Sequence, residues 1–405
     1  MVVAALSEHP DPVEATAEVI GQALEGQEDR ADLAVLFASG LHRDAMADIA
    51  GTVRTAIEPG RLIGVTASGV VGGDREVEEG PALALWTASL GTVPEPVRLT
   101  ARSTPAGAAI QGLPLKAAGV TTGAEPTDEG QGDGGSGRRT LVTLVDPFSL
   151  PISDILDVLA AAPQTMRVVG GLASAGAAPG ANRLVLDDET FSDGAVGILL
   201  DEPAEGPAAG RYDIVVSQGC RPIGSPMIVT KAEGTQVLEL AGQPAVARLS
   251  QIASQAPPEE RTLLSSGVHL GVVADEHREA FERGDFLVRN VVGADRSTGG
   301  LLVGATVEVG TTVQFQVRDA ASADEDLRAL LGTRQRAAGA LLFTCNGRGR
   351  HLFGSPHHDA RLVAGITDDA AVAGMFCAGE VGPVGRRSFL HGFTASVLLV
   401  GAEPR

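Results

Sequence analysis

The side chains able to do chemistry gather toward the C-terminal end of this chain. Cys345-Asn346-Gly347-Arg348-Gly349-Arg350 reads as a strand that ends in a small turn. Such a turn presents a thiol and backbone N–H groups, and a guanidinium there, Arg348 or Arg350, can clamp a carboxylate through two parallel hydrogen bonds. Glu380 follows another strand end, flanked by Gly379 and Gly382. Glycine permits close approach there, and the carboxylate can accept an ammonium group. His391, just before a closing strand, offers a ring nitrogen to the same ligand, and Arg289 with Asn290 could add a wall from an upstream β-strand. This set suits recognition of a small polar molecule carrying both charges, such as an amino acid.

Each residue also has a plainer reading. A free cysteine is commonly a small buried hydrophobe, which would leave Cys345 in a tight turn among solvated arginines. Glu380 could bond local amides, His391 could be a satisfied half-buried ring, and Arg289-Asn290 could join Asp295-Arg296 in structural ion pairs. A nucleophilic Cys345 needs a base; His391 is the candidate, without diagnostic spacing. His357-His358-Asp359 invites a metal reading, but Pro356 places them in a first helical turn, where adjacent side chains point apart. A solvated helix start is expected there, and no metal. With no phosphate-binding glycine loop in a strand–helix context, no cofactor is expected either.

Those side chains need strand ends to hold them. Asp11-Pro12-Val13-Glu14 opens a helix, Asp11 as cap and Glu14 reaching back, with Val13, Ala17, Ile20 and Leu24 on its apolar face. A buried strand, Leu33 to Phe37, precedes a helix with Ile49, Val53 and Ile57 on one side. Leu62 to Val65 is a second strand, and Ala82 to Leu90 alternates like a half-buried third. Residues 117–139 have almost nothing to bury and read as a flexible loop. Beyond it come strands at Leu141–Val145, Val168–Leu172 and Gly194–Leu200, with a helix at Ser153–Ala161. From Tyr212 the period changes to two, and the run to Val317 reads as antiparallel β, Leu301 to Val317 included. Ser322 and Glu325 make a capping box for a helix, and the chain finishes through Ala340–Phe343, a helix at Ser355-Pro356, a strand ending near Phe376, and Leu390–Val400.

Strand–helix–strand–strand units align with one another. A G-x4-G segment recurs as Gly64–Gly69, Gly171–Gly176 and Gly374–Gly379, each after a strand–helix pair and before a closing strand. Against the first unit, the third places Cys345 opposite Ala38, Asn346 opposite Ser39, Arg348 opposite Leu41, Glu380 opposite Val70 and His391 opposite Glu79. Shared positions belong to the fold; polar departures mark candidate function.

Composition narrows the classes. Acidic residues outnumber basic ones by 51 to 31, for a net charge of −20, which disfavours phosphate backbones and anionic membranes. Three cysteines without a C-x-x-C argue for a reducing compartment and against a disulfide framework or zinc site. The first residues lack the basic region of a signal peptide, and no window nears the ~18 unbroken apolar residues of a membrane span. A cytoplasmic location is expected, with neither nucleic acid nor membrane as partner.

Three longer stretches resemble a known family. Leu342-Phe343-Thr344-Cys345-Asn346-Gly347-Arg348-Gly349, Cys377-Ala378-Gly379-Glu380-Val381-Gly382-Pro383-Val384-Gly385 and Phe389-Leu390-His391-Gly392-Phe393-Thr394 are similar to the C-terminal signature of the FIST (F-box and intracellular signal transduction) proteins. Cys220-Arg221-Pro222-Ile223-Gly224 and Arg289-Asn290-Val291-Val292-Gly293 resemble earlier stations of that module, and Ile63–Gly73 with Pro81–Leu90 looks like its N-terminal domain. The resemblance implies a sensory module for small ligands such as amino acids, with no assigned reaction and an output partner elsewhere.

These readings combine into a two-domain layered α/β protein. The resemblance implies that residues 30–211 form a FIST N-terminal domain with two repeat units. Residues 212–400 form the C-terminal one, a β-rich segment at 212–318 plus a third unit at 340–400. The expected function is small-ligand sensing through Cys345, Asn346, Gly347, Arg348, Gly379, Glu380, His391, Arg289 and Asn290, coupled to an unidentified signalling partner. A cysteine-dependent hydrolase or transferase using Cys345 and His391, and a protein-interaction scaffold, remain as alternatives.

Overall fold

Strands made almost wholly of apolar residues must be covered on both faces, and such strands organise this mixed α/β chain. The structure, a computed structural model, describes residues 1–401 except 27–28, 105–106, 115–136, 162–165, 204, 206–209 and 279. The segment read as a flexible loop therefore lies outside the described residues up to 136, and Arg138-Arg139 already belong to a strand, Arg138–Val145.

Two compact units result. The first comprises residues 1–216, 328–390 and 394–405; the second comprises 217–327 with 391–393. In the first, three sheets share one strand order. An opening strand pairs in parallel with a second one across a helical connection: Leu33–Ser39 with Arg61–Ala67, Arg138–Val145 with Met166–Leu172, and Gly339–Cys345 with Val372–Cys377. A closing strand lies antiparallel on the opening strand's other side: Leu83–Ala88, Ala195–Glu202 and Thr394–Val400 respectively.

The remaining edge of each parallel pair is filled by a strand from elsewhere in the chain. Leu184–Leu186 joins Arg61–Ala67, Glu380–Val384 joins Met166–Leu172, and Val70–Gly72 joins Val372–Cys377. Each sheet thus lends one strand and borrows another, in a ring, and no exposed edge is left along these pairs. This exchange places the third sheet in the same compact unit as the first two, whereas the sequence reading grouped it with the β-rich segment.

Several expectations shift in detail. The first helix, Pro12–Gly26, takes Asp11 as its cap, Oδ1 accepting the amides of Val13 at 2.8 Å and Glu14 at 3.3 Å, but the Asp11 amide donates to His9 Nδ1 at 3.1 Å rather than to a Glu14 side chain reaching back. Its buried face is Ala15, Thr16, Val19, Ile20 and Ala23, while Val13, Ala17 and Leu24 are exposed. Alanines ring this helix, so apolarity alone does not set its phase. Leu83–Ala88 is buried throughout rather than half-buried, because both its faces are covered: Ala84, Trp86 and Ala88 pack into one core and Leu83 and Leu85 into another. Ser322 lies inside the helix Ala320–Gly332, where its hydroxyl donates to Asp319 at 2.7 Å; it does not cap that helix.

The second unit is an antiparallel sheet ordered Cys220–Glu233, Thr312–Arg318, His269–Val273, Phe286–Asp295, Gly300–Val303 and Gln236–Leu240. A further pairing between Cys220–Glu233 and Gln236–Leu240 closes these strands into a barrel around Val229, Leu240, Leu270, Leu301 and Phe315. Leu301–Val317 holds two strands, Gly300–Val303 and Thr312–Arg318, with Gly310 in the turn before the second. Helices Ala245–Gln255 and Pro258–Ser266 escape the periodicity reading, the second because it buries none of its residues. Among the described residues no helix is long and apolar enough to cross a membrane.

Candidate functional site

Strands pairing in parallel deliver their C-terminal ends to one place, and in the first unit those ends meet. The amide of Asn346 donates to the Cys377 carbonyl at 3.0 Å, that of Phe376 to Gly69 at 3.0 Å and that of Leu172 to Gly379 at 2.8 Å. Side chains tie the same junction. Ser174 Oγ accepts the Ser68 amide at 2.9 Å and donates to the Phe376 carbonyl at 2.5 Å, while Ser68 Oγ donates to the exposed Asn346 side chain at 2.7 Å. Gly347 sits half-buried in the same turn, and Gly379 is buried at the junction.

Beneath the junction lies a buried charged cluster. Arg348 is fully buried, and its guanidinium forks onto Asp359, Nε to Oδ2 at 2.7 Å and Nη2 to Oδ1 at 2.8 Å. Burial opposes charge on both groups; their mutual attraction outweighs it, holding Arg348 above and Asp359 below their ordinary ranges. Thr344 Oγ1 donates to Asp359 at 2.8 Å, and the His358 ring both reaches Asp359 at 3.0 Å and stacks on Phe353. The solvated helix start expected at His357-His358-Asp359 is thus a buried network. Its helix, His358–Ala364, receives a borrowed carboxylate: Glu76 accepts the amides of His357 and Ala360, both at 2.9 Å. Burial, and then the nearby Asp359 charge, raise Glu76 to a pKa of about 7.

Glu380 is also fully buried. Its Oε2 accepts the Thr394 amide at 3.1 Å and hydroxyl at 2.9 Å. Loss of hydration raises its pKa to about 8, against the opposing pull of Thr394, Arg348 and Cys345. At neutral pH the carboxyl is therefore mostly protonated. Two polar atoms in this cluster lack a protein hydrogen-bond partner, Arg348 Nη1 and Glu380 Oε1. Cys345, half-buried, interacts with both side chains, and the fully buried Cys377 lies across the strand pair. Gly171 faces Glu380 in the ladder, and a Cβ there would collide with the Cys377 sulfur, so the cluster needs glycine at this position.

The structure thus gathers Cys345, Asn346, Gly347, Arg348, Gly379 and Glu380 in the first unit. His391, Arg289 and Asn290 belong to the second. There His391 is buried, Arg289 is half-buried with a 3.4 Å hydrogen bond to the Val288 carbonyl, and Asn290 is exposed on the strand beside His269. The His269 ring lies 4.4 Å from the Phe393 ring, tilted 46° to it; burial and the charge of Arg318 bring its pKa down to about 4. The ionisable side chains beside Cys345 include the Arg348 guanidinium and the Glu380 carboxyl. Among the described residues no group of three or more His, Cys, Asp or Glu side chains is arranged to hold a metal.

The sequence reading gave Glu76 and Thr394 no site role and placed Asp359 in a solvated helix start. Asp359 had a signal: it is the single acid of the helix His358–Ala364, eleven residues after Arg348 and between the paired strands. Glu76 had none, because its partner lies 281 residues away.

Comparison with known proteins agrees with these motifs. A family model described as the FIST N domain matches residues 32–243, and one described as the FIST C domain matches residues 245–383. An uncharacterized protein of Mycobacterium bovis is 40% identical over 396 residues, covering 96% of each chain. Another, from Mycobacterium tuberculosis, is 40% identical over 402 residues, covering 97% of this chain and 98% of its own. FIST domains are associated with sensing in signal transduction. On the strength of these matches, and of the strand-end motifs they contain, the chain belongs to the FIST family.

Proposed function

We propose that this chain is a small-molecule-binding sensory protein of intracellular signal transduction, with an amino acid or related small polar ligand held where the three strand ends meet. The observation that carries this reading is the pair of buried, unpartnered atoms Arg348 Nη1 and Glu380 Oε1. Buried polar groups are nearly always hydrogen-bonded. A site that leaves a cationic donor and a carboxyl oxygen open suits a molecule bringing an acceptor and a donor. Arg348 offers such a ligand the two N–H groups of Nη1, because Asp359 engages Nε and Nη2. The common strand order supports reading the three sheets as copies of one unit, the third having acquired the polar groups. All three cysteines are free thiols, which supports a reducing, cytoplasmic setting.

An ammonium group beside Glu380 favours the ionised carboxylate, so binding near neutral pH releases a proton. Thermal-shift measurements across the proteinogenic amino acids and related metabolites test the reading, with calorimetry in buffers of different ionisation heat for any hit. Stabilisation that disappears in Glu380→Gln, with proton release in the parent, is the expected result. A flat panel from folded protein removes the amino-acid ligand.

A further inference from the structure

We propose that Cys345 and Cys377 form a reversible intramolecular disulfide when the protein meets hydrogen peroxide. The two residues end neighbouring parallel strands and are direct partners in the ladder. Adjacent strands lie about 4.7–4.9 Å apart, inside the ~4.4–6.8 Å range of Cα separations that natural disulfides span. Partners in register also project their side chains to the same face of the sheet. Both are free thiols, and Cys377 keeps its proton: burial, and then the nearby Glu380 and Cys345, push its pKa well above the ordinary thiol value. Gly171 leaves the space that the Cys377 sulfur occupies.

Exposure sets the order of events. Cys345 is half-buried and Cys377 fully buried, so peroxide reaches Cys345 first. The Arg348 guanidinium attracts an ionised Cys345. The Cys345 thiolate attacks one peroxide oxygen, the O–O bond breaks, and the departing hydroxide takes up a proton to become water. The resulting sulfenic acid is then attacked by the Cys377 sulfur. The S–O bond breaks, and the second hydroxide leaves as water with the Cys377 proton. Two thiols lose two electrons in total, and one peroxide is reduced to two waters. A cytoplasmic disulfide of this kind is transient and redox-sensing rather than structural.

The proposal does not rest on the ligand reading, and its readout involves no ligand. Full-length protein is treated with hydrogen peroxide, unfolded in alkylating reagent and digested with trypsin, which places Cys345 on peptide 337–348, Cys377 on peptide 362–386 and Cys220 on a third. The expected product is a 337–348/362–386 cross-link that dithiothreitol separates, with Cys220 alkylated. In Cys377→Ser, the Cys345 sulfenic acid persists and is captured by dimedone. Three outcomes overturn the proposal: Cys345 advancing to sulfinic acid while Cys377 stays alkylatable, Cys345 cross-linked between two chains, or both thiols unchanged. The parent protein alone decides among them, so an unfolded variant leaves the result intact.

Discussion

Arg348 and Asp359 form a two-point ion pair with neither side chain exposed, Nε to Oδ2 at 2.7 Å and Nη2 to Oδ1 at 2.8 Å. The fork that the sequence aimed at a ligand carboxylate is thus turned inward, and it ties the turn after Cys345 to the helix His358–Ala364. Removing one partner leaves the other charge buried and uncompensated. Asp359→Asn is expected to lower unfolding stability by about 3–5 kcal/mol, measured by urea denaturation. A loss below about 1 kcal/mol, the scale of an exposed pair, would contradict full burial of the charge.

Glu380 and Glu76 give the protein an unusual pH dependence. Their folded pKa values, about 8 and about 7, lie above the ordinary 4.5. Between those limits the folded chain holds protons that the unfolded chain releases, so stability is present below the ordinary carboxylate pKa and falls as pH rises through the folded values. Asp359 acts oppositely, adding stability that is lost as the pH drops below its unfolded value. Each raised group contributes a slope of up to about 1.4 kcal/mol per pH unit. Glu380→Gln should flatten the decline between pH 5 and about 8. An unchanged profile of denaturation midpoints against pH would mean that Glu380 is ionised in the folded protein.

Gly171 and Cys377 should be energetically coupled. The Cβ of Gly171→Ala would overlap the Cys377 sulfur in a packed interior, and overpacking of this kind costs about 1–3 kcal/mol. Removing the sulfur with Cys377→Ala should recover part of that loss. Denaturant unfolding of the two single variants and the double variant forms the cycle. Strict additivity would show that the two side chains do not compete for one space.

Ser174 joins all three strand ends through one hydroxyl, which serves Ser68 and the Phe376 carbonyl. Ser174→Ala leaves the Phe376 carbonyl and the Ser68 amide short of a partner, at an expected cost of about 1–2 kcal/mol. Hydrogen exchange at the Ser68 amide, which donates to that hydroxyl, should speed up. No change in its exchange would place the junction's strength in the backbone bonds alone.

Much of the local structure was legible. The parallel strand pairs announced themselves as unbroken apolar runs, because a strand covered on both faces admits few polar residues. Glycine at strand ends marked the junction, and Cys345, Arg348 and Glu380 were singled out and do gather there. The two helix errors come from the lack of a clear apolar period. Ala-rich helices carry apolar residues on every side, so Pro12–Gly26 was phased wrongly, and Pro258–Ser266, with no buried residue, had no period to read.

The sequence by itself determined that these are layered α/β units with reactive side chains at strand ends, since hydrophobic period and glycine placement are local properties of the chain. Only the tertiary structure decided what those side chains meet. The strand Arg75–Val77 pairs with Val70–Gly72, is carried with it into the third sheet and brings Glu76 to the amides of His357 and Ala360. Glu380 lies opposite Gly171 for the same reason. Edge-strand exchange is fixed by which partner completes a ladder, and a ladder's backbone hydrogen bonds carry no signature in the side chains that ride on it.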